Sequence, residues 1–443
     1  MIQRIQKLAY VTTLSLIAYI PFHAFISTWL ISNFGYSIFF KSLKDIVVFL
    51  VSGVLLTVGH FIKVKSAISR RLFLFIYLYF LLNVGYVVFS SASITQRLAG
   101  FDLNLRFLAF FFITYYVGIS YKSNAKLKLI LRIVIIGLAV VGVFGMLQSM
   151  LLPRDFLSHF GYDGTIIPSY FTIDGVGGLI RYSSTLRGPN VLGAYMVVAI
   201  PLLISYWIFI RKELTLGRQI LFSITLISSV LTLYFTYSRS AWIGLVVAGI
   251  TYLSFVFRKY KLQMLVFSIL IATAGIVFVV PNRDTYFIQQ VVFHVDPAEK
   301  SGINSDDERL QSLQAGFSGL RNNIAGHGIG SAGTPSTYGD KSAIVENYFL
   351  DTAYQFGFLG LALLVAIYYY VIRLLWTIRT NWLAVSLMSS FLGITVASMF
   401  WPVWSDETVA YTWWGIAGLV LGGYATTRKG LHSTKPKSSK QVT

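Results

Sequence analysis

Mostly apolar runs alternate with short polar gaps along most of the chain. Twelve runs stand out, at 8–32, 44–62, 72–91, 104–120, 128–151, 190–210, 218–237, 241–257, 262–281, 347–372, 382–402 and 408–426. Each approaches the roughly 20 residues that an α-helix needs to cross a bilayer core. The pattern predicts an all-α fold: a polytopic membrane bundle of about 12 transmembrane helices. The first run is too long for the core of a signal peptide, so it reads as a transmembrane helix. The seventh and eighth are separated only by Ser238, Arg239 and Ser240. Two long polar segments interrupt the series, at about 152–189 and 282–346. Residues 1–427 are expected to form one transmembrane domain and 428–443 a basic, disordered tail.

Composition supports a lipid environment. Of 443 residues, 56% are hydrophobic and only 12% charged, against about 25% charged in a soluble domain. The 27 Tyr and 9 Trp suit rings anchored at membrane interfaces. The net charge of +19 does not point to nucleic acid, because Lys and Arg sit in short gaps rather than on one basic domain. Those gaps alternate, as the positive-inside rule requires, which places both termini in the cytoplasm. Of the 17 acidic residues only Glu213 falls on the inner side. Both long segments then lie on the extracytoplasmic face of a multi-pass protein, where long loops usually carry function. Without cysteine, thiol catalysis, disulfides and thiolate metal sites are excluded.

The second long segment contains Ser305-Asp306-Asp307-Glu308, which reads as a capping box rather than a metal site. Leu310, Leu313, Phe317, Leu320 and Ile324 follow at spacings of a single helical stripe, suited to a membrane surface or to packing over the bundle. Gly326-His327-Gly328-Ile329-Gly330 is either a plain turn or a backbone that approaches a phosphate or sugar. Glu346 and Asn347 open the tenth run, with Gly357 and Gly360 further along. Glu346 is equally a helix cap or a general base at the interface. Arg239 and Arg187 lie at outer helix ends, where a guanidinium either snorkels or clamps a diphosphate. Pro189 suits a first helical position. Arg187, Arg239, Arg309 and Glu346 together suit an anionic head group and a proton acceptor.

These residues resemble the bacterial O-antigen ligase and polymerase family, which moves lipid-linked glycans on the outer face of the inner membrane. The resemblance rests on Ser238–Arg239, Gly188–Pro189–Asn190, Arg309, Gly326–Gly328–Gly330, and Asn347 with Gly357 and Gly360. It covers about residues 180–372 by motif and the whole chain by topology. The family's proposed activating His is replaced here by Glu346, with His327 as a second candidate base. The resemblance implies a membrane glycosyltransferase without a metal or other cofactor. Its donor is a glycan on undecaprenyl diphosphate, and its acceptor is a hydroxyl of a glycan or lipid-glycan.

Glu346 would ready the hydroxyl, while Arg239 and Arg309, with Arg187, stabilise charge growing on the diphosphate. Asn190, His327, Gly328, Gly330 and Asn347 complete the expected substrate contacts. Tyr162, Tyr170, Tyr182, Trp401 and Trp404 are interfacial anchors or sugar platforms. A transporter or flippase is the competing class. It would need ionisable groups near the midplane, and the helix interiors show only His23, His60 and Asp351. The motif reading predicts that Arg239→Ala loses about 10²–10³-fold in transfer while still inserting in the membrane. An assay of purified protein with a lipid-diphosphate donor measures it, and unchanged turnover would remove the clamp.

Overall fold

The structure, a computed structural model, describes residues 1–57, 70–121, 124–173, 179–257, 305–339 and 343–433, with scattered positions between 263 and 289. Its helices are α1 (Ile2–Tyr19), α2 (His23–Phe34), α3 (Ser37–Thr57), α4 (Arg70–Phe89), α5 (Ile94–Ser120) and α6 (Asn124–Met150). They continue as α7 (Pro189–Ile210), α8 (Leu216–Phe235), α9 (Arg239–Val256), α10 (Ser305–Asn322), α11 (Tyr348–Thr377), α12 (Trp382–Ala397) and α13 (Glu407–Ser433). A short hairpin pairs β1 (Phe171–Thr172) antiparallel to β2 (Ile180–Arg181).

The all-α polytopic expectation is met. Among the described residues, eight helical segments are long and apolar enough to cross a membrane: α1 with α2, α4 to α9, and α11. The ninth apolar run lies mostly outside the described residues. Helix α13 continues to Ser433, past the expected boundary at 427.

Local chemistry sets the helix ends. Pro189 begins α7, where its missing N–H costs nothing. Ser93 caps α5 by accepting the Gln96 N–H at 3.2 Å, and Asn381 caps α12 through the Leu383 N–H at 2.9 Å. Glycines then let helices touch. A Cβ on Gly118 of α5 would sit 2.6 Å from the Leu419 carbonyl oxygen of α13, and one on Gly244 of α9 would sit 2.8 Å from the Gly393 oxygen of α12. Close backbone approach replaces the hydrophobic driving force that lipid cannot supply.

The helix interiors hold more charge than the sequence suggested. Glu407, the first residue of α13, pairs with His23 of α2 at 3.0 Å, Lys44 of α3 at 2.7 Å and Arg106 of α5 at 3.2 Å. Lys44 also meets Asp45 at 2.7 Å, and Arg106 meets Asp102 at 3.4 Å and donates to the Ser405 carbonyl at 2.8 Å. The Tyr411 hydroxyl of α13 donates to Asp45. Of the interior groups expected from sequence, His23 belongs to this network, Asp351 lies elsewhere and His60 is outside the described residues. Lys44, Asp45, Asp102, Arg106 and Glu407 escaped notice because each lies near the end of an apolar run, where charge is ordinary.

Removing one partner from such a network strands the others in low dielectric, at about 3–5 kcal/mol. Glu407→Gln is therefore expected to lower the thermal denaturation temperature of the purified protein sharply. An unchanged melting curve would mean that His23, Lys44 and Arg106 find water instead.

Candidate active site

The mouth of α11 is organised by its cap. The Asn347 side-chain oxygen accepts the N–H groups of Phe349 and Leu350, both at 3.0 Å, and its amide donates to the Met399 carbonyl at 3.0 Å. The cap is thus Asn347, which leaves Glu346 to other work. The Glu346 N–H donates to Ser312 Oγ of α10 at 2.8 Å, and that hydroxyl donates to the Ile344 carbonyl at 3.0 Å. Helix α10 is pinned to the segment entering α11. Its Arg309 consequently stands with Nε 3.4 Å from Glu346 Oε2. Cation and carboxylate, expected separately from sequence, form a pair.

The apolar stripe of α10 divides between two surfaces. Leu313 and Leu320 pack with Val345, Leu350 and Ala353 on the α11 side. Leu310, Phe317 and Ile324, at seven-residue spacing, are exposed. The packing expected of the stripe is met by Leu313 and Leu320, while the other three residues leave an exposed apolar face. The helix begins at Ser305, but the capping-box side chains of Ser305 and Glu308 lie outside the described residues.

The remaining guanidinium groups gather around the start of α7. Arg187 Nε lies 2.8 Å from Asp406 Oδ2 and stacks over Trp401 at 5.9 Å. Asp406 also caps α13, accepting the Thr408 N–H at 2.9 Å. Asn190 Oδ1 accepts from Arg181 Nη2 at 2.6 Å, and Arg181 Nε donates to the Thr236 carbonyl at 2.8 Å. Arg181 therefore ties the hairpin and the start of α7 to the turn between α8 and α9. Ile173 packs against Tyr237 in the same turn. Tyr237 takes φ of 47° there, a strained value for a bulky side chain, and two residues later Arg239 begins α9.

One end of the bundle thus carries all four expected groups. Arg309 meets Glu346 directly. Asn347 reaches Met399, close in sequence to the Trp401 beneath Arg187. Arg187 and Asn190 flank the entry to α7, which Arg181 joins to the turn before Arg239. Arg181 and Asp406 were not among the sequence candidates. Arg181 sits in Gly178-Leu179-Ile180-Arg181-Tyr182, a stretch with no motif, and only the hairpin fold gives it a position.

The glycine turn has a different setting. Helix α11 breaks at Gly357, with φ of 65° and ψ of −169°, so the carbonyls of Tyr354 and Gln355 lose their helical partners. They accept instead the N–H groups of His327 at 2.8 Å and Gly328 at 3.0 Å. The Gly330 N–H goes to the Gln355 side chain at 2.9 Å, and its carbonyl accepts from Gln96 of α5 at 2.9 Å. His327 Nε2 lies 3.0 Å from the Gly319 carbonyl, and the ring stacks on Tyr354 with centroids 4.3 Å apart. The N–H groups of Gly326, His327, Gly328 and Gly330 are engaged by protein, so of the turn's two readings the structural one has direct support. Gly326, Gly328 and Gly330 all take positive φ, which explains their spacing without a phosphate.

The aromatic candidates also separate. Tyr162 and Trp404 are buried within the protein. Trp404 packs among Tyr368, Phe391, Trp413 and Trp414, so neither it nor Tyr162 serves as an interfacial anchor or open sugar platform. Tyr170 receives Arg154 at 5.6 Å, and Trp401 lies under Arg187.

Comparison with known proteins agrees with the motif reading. A family model described as O-antigen ligase matches residues 224–365, from within α8 into α11. The chain is also similar to a ComP-specific O-oligosaccharyltransferase of Acinetobacter baylyi, 23% identical over 396 residues and covering 87% of this chain. The chain spans 66% of the length of that relative. The resemblance inferred from Ser238–Arg239, Arg309, Gly326–Gly328–Gly330 and Asn347 is thereby borne out at the level of the family.

The matched region ends just beyond the break in α11, and the break depends on glycine. A Cβ at Gly357 would lie 2.7 Å from the Ala325 carbonyl carbon, besides the strain of a positive φ, which costs about 1–3 kcal/mol. Gly357→Ala is expected to lower thermal stability and to loosen the 326–330 turn, as read by faster proteolysis of that segment. Wild-type protease resistance would show that the helix can close over the break.

Proposed function

We propose that this chain, which matches a family model described as O-antigen ligase over residues 224–365, transfers a glycan from an undecaprenyl-diphosphate carrier to an acceptor hydroxyl with inversion. The reaction takes place at the end of the bundle that holds Arg309 and Glu346. On the orientation read from the basic gaps, that end faces outward from a bacterial cytoplasmic membrane. The observation that carries the reading is the Arg309–Glu346 pair at 3.4 Å, set at the mouth of α11 by the Asn347 cap and the Ser312 bridge.

The chemistry follows from the pair. Before substrate binds, Arg309 neutralises Glu346. An arriving diphosphate competes for the guanidinium, which can bind its oxygens bidentately, and so releases the carboxylate. Glu346 then accepts the proton of the acceptor hydroxyl as its oxygen attacks the anomeric carbon. The sugar–phosphate C–O bond breaks and its electron pair leaves on the diphosphate. Arg309 and Arg239 stabilise that charge at the moment it grows, which is where fixed cations accelerate most. Arg187, already paired with Asp406, contributes positive potential at the rim, and Arg181 with Asn190 holds the turn that delivers Arg239.

Glu346 is preferred to His327 as the base because His327 is stacked on Tyr354 and engaged with the Gly319 carbonyl. The Acinetobacter relative is an O-oligosaccharyltransferase, which supports a hydroxyl acceptor. The transporter reading gains buried charges from the network around Glu407. Those groups are mutually paired, however: Glu407 meets His23, Lys44 and Arg106, and Arg106 also meets Asp102.

Loss of a general base costs about 10²–10⁴-fold. Glu346→Gln is expected to show that loss in turnover with purified protein and a lipid-linked oligosaccharide, with the donor still bound. His327→Ala is expected to keep turnover and lose stability. The reverse pattern would overturn the base assignment. Failure of the wild type to release undecaprenyl diphosphate would favour the transporter. A lengthened lipid-linked product would mark a polymerase, and a glycan moved to another carrier would mark a ligase.

A further inference from the structure

The end of the bundle remote from Glu346 holds a second concave site. There α5 and α13 finish, α6, α8 and α12 begin, and α7 runs into a turn at Arg211–Glu213. Between them lies a cavity of about 830 Å³, lined by the exposed side chains of Lys128, Arg132, Arg218 and Glu213 and by the buried Leu383 and Leu419. Lys128 and Arg132 are four residues apart on α6 and so share a face. Arg218 comes from the first turn of α8.

Three cations therefore face one carboxylate around an apolar wall. None of the three lies within 4 Å of a carboxylate, or donates a hydrogen bond, among the described residues. The opposite end of the protein behaves differently, since Arg187, Arg181 and Arg309 each meet a carboxylate or carbonyl there. Like charges brought together in a hollow repel unless an anion joins them, and among the described residues lining this one only Glu213 is acidic. A ligand that satisfies both surfaces carries phosphate at one end and hydrocarbon at the other. Basic pockets between transmembrane helices hold lipid headgroups in this way.

We propose that this cavity binds an anionic glycerophospholipid, its phosphate on Lys128, Arg132 and Arg218 and its first methylenes against Leu383 and Leu419. The site is independent of the glycan-transfer reading and stands on the end of the molecule that takes no part in it. Its occupant would brace the junction of six helices whose sequence separation exceeds 300 residues, from Gly118 to Tyr424.

The test uses the full chain in neutral detergent, with bound lipid read by native mass spectrometry and stability by thermal denaturation. Phosphatidylglycerol is expected to remain bound and to raise the denaturation temperature, and phosphatidylcholine to do neither. Replacing Lys128, Arg132 and Arg218 together by Gln should weaken phosphatidylglycerol binding about 100-fold, at about fivefold per cation. If the triple variant does not fold, Arg132→Gln alone should weaken it about fivefold. A control replacing Arg4, Lys7 and Arg373 by Gln should bind as the wild type does. Equal retention by the pocket variant, or equal loss by the control, would overturn the site in favour of general surface charge. Competition by millimolar inorganic phosphate would overturn the lipid in favour of a free anion.

Discussion

Two adjacent carboxylates at the start of α13 anchor the end of the bundle where transfer is proposed. Asp406, fully buried, holds the partly exposed Arg187 while capping its own helix. Glu407 draws His23, Lys44 and Arg106 from three other helices onto one point. The position of the entry to α7 is therefore tied, through one peptide bond, to a buried ionic junction. Such a junction contributes little net stability compared with apolar packing. Its value is geometric, since ions in low dielectric tolerate few alternative arrangements.

A second layer of organisation comes from backbone groups that a straight helix would have satisfied itself. The break at Gly357 exposes two carbonyls, and the 326–330 turn supplies the matching N–H groups. The turn is then clamped to α5 through Gln96 and to α11 through Gln355. Irregular backbone at the edge of a membrane is tolerated because protein, not lipid, completes it.

Much of this was legible in the sequence, and the rest was hidden for identifiable reasons. The apolar runs gave the helices because membrane spans announce themselves by length. Arg309 and Glu346 were visible because charge at the mouth of a span is conspicuous. That Asn347 rather than Glu346 caps α11 was not visible, since either residue can accept a helix N–H and only side-chain geometry decides. The role of Gly326, Gly328 and Gly330 was ambiguous because positive φ serves a turn and a ligand cradle equally. Arg181 was hidden in an unpatterned loop. The network around Glu407 was masked by its position, since residues at run ends look like interface anchors until the fold draws them inward.

The interruption of α11 also separates two kinds of motion. In an unbroken helix each residue added or lost below the mouth would swing Glu346 around the axis by about 100°. Here the outer segment is held by α10 and the 326–330 turn in addition to its packing on the bundle through Tyr348. The azimuth of the Glu346 end is thus fixed by contacts that the inner segment does not share. A bundle built this way can adjust to bilayers of different thickness while Glu346 keeps the same bearing.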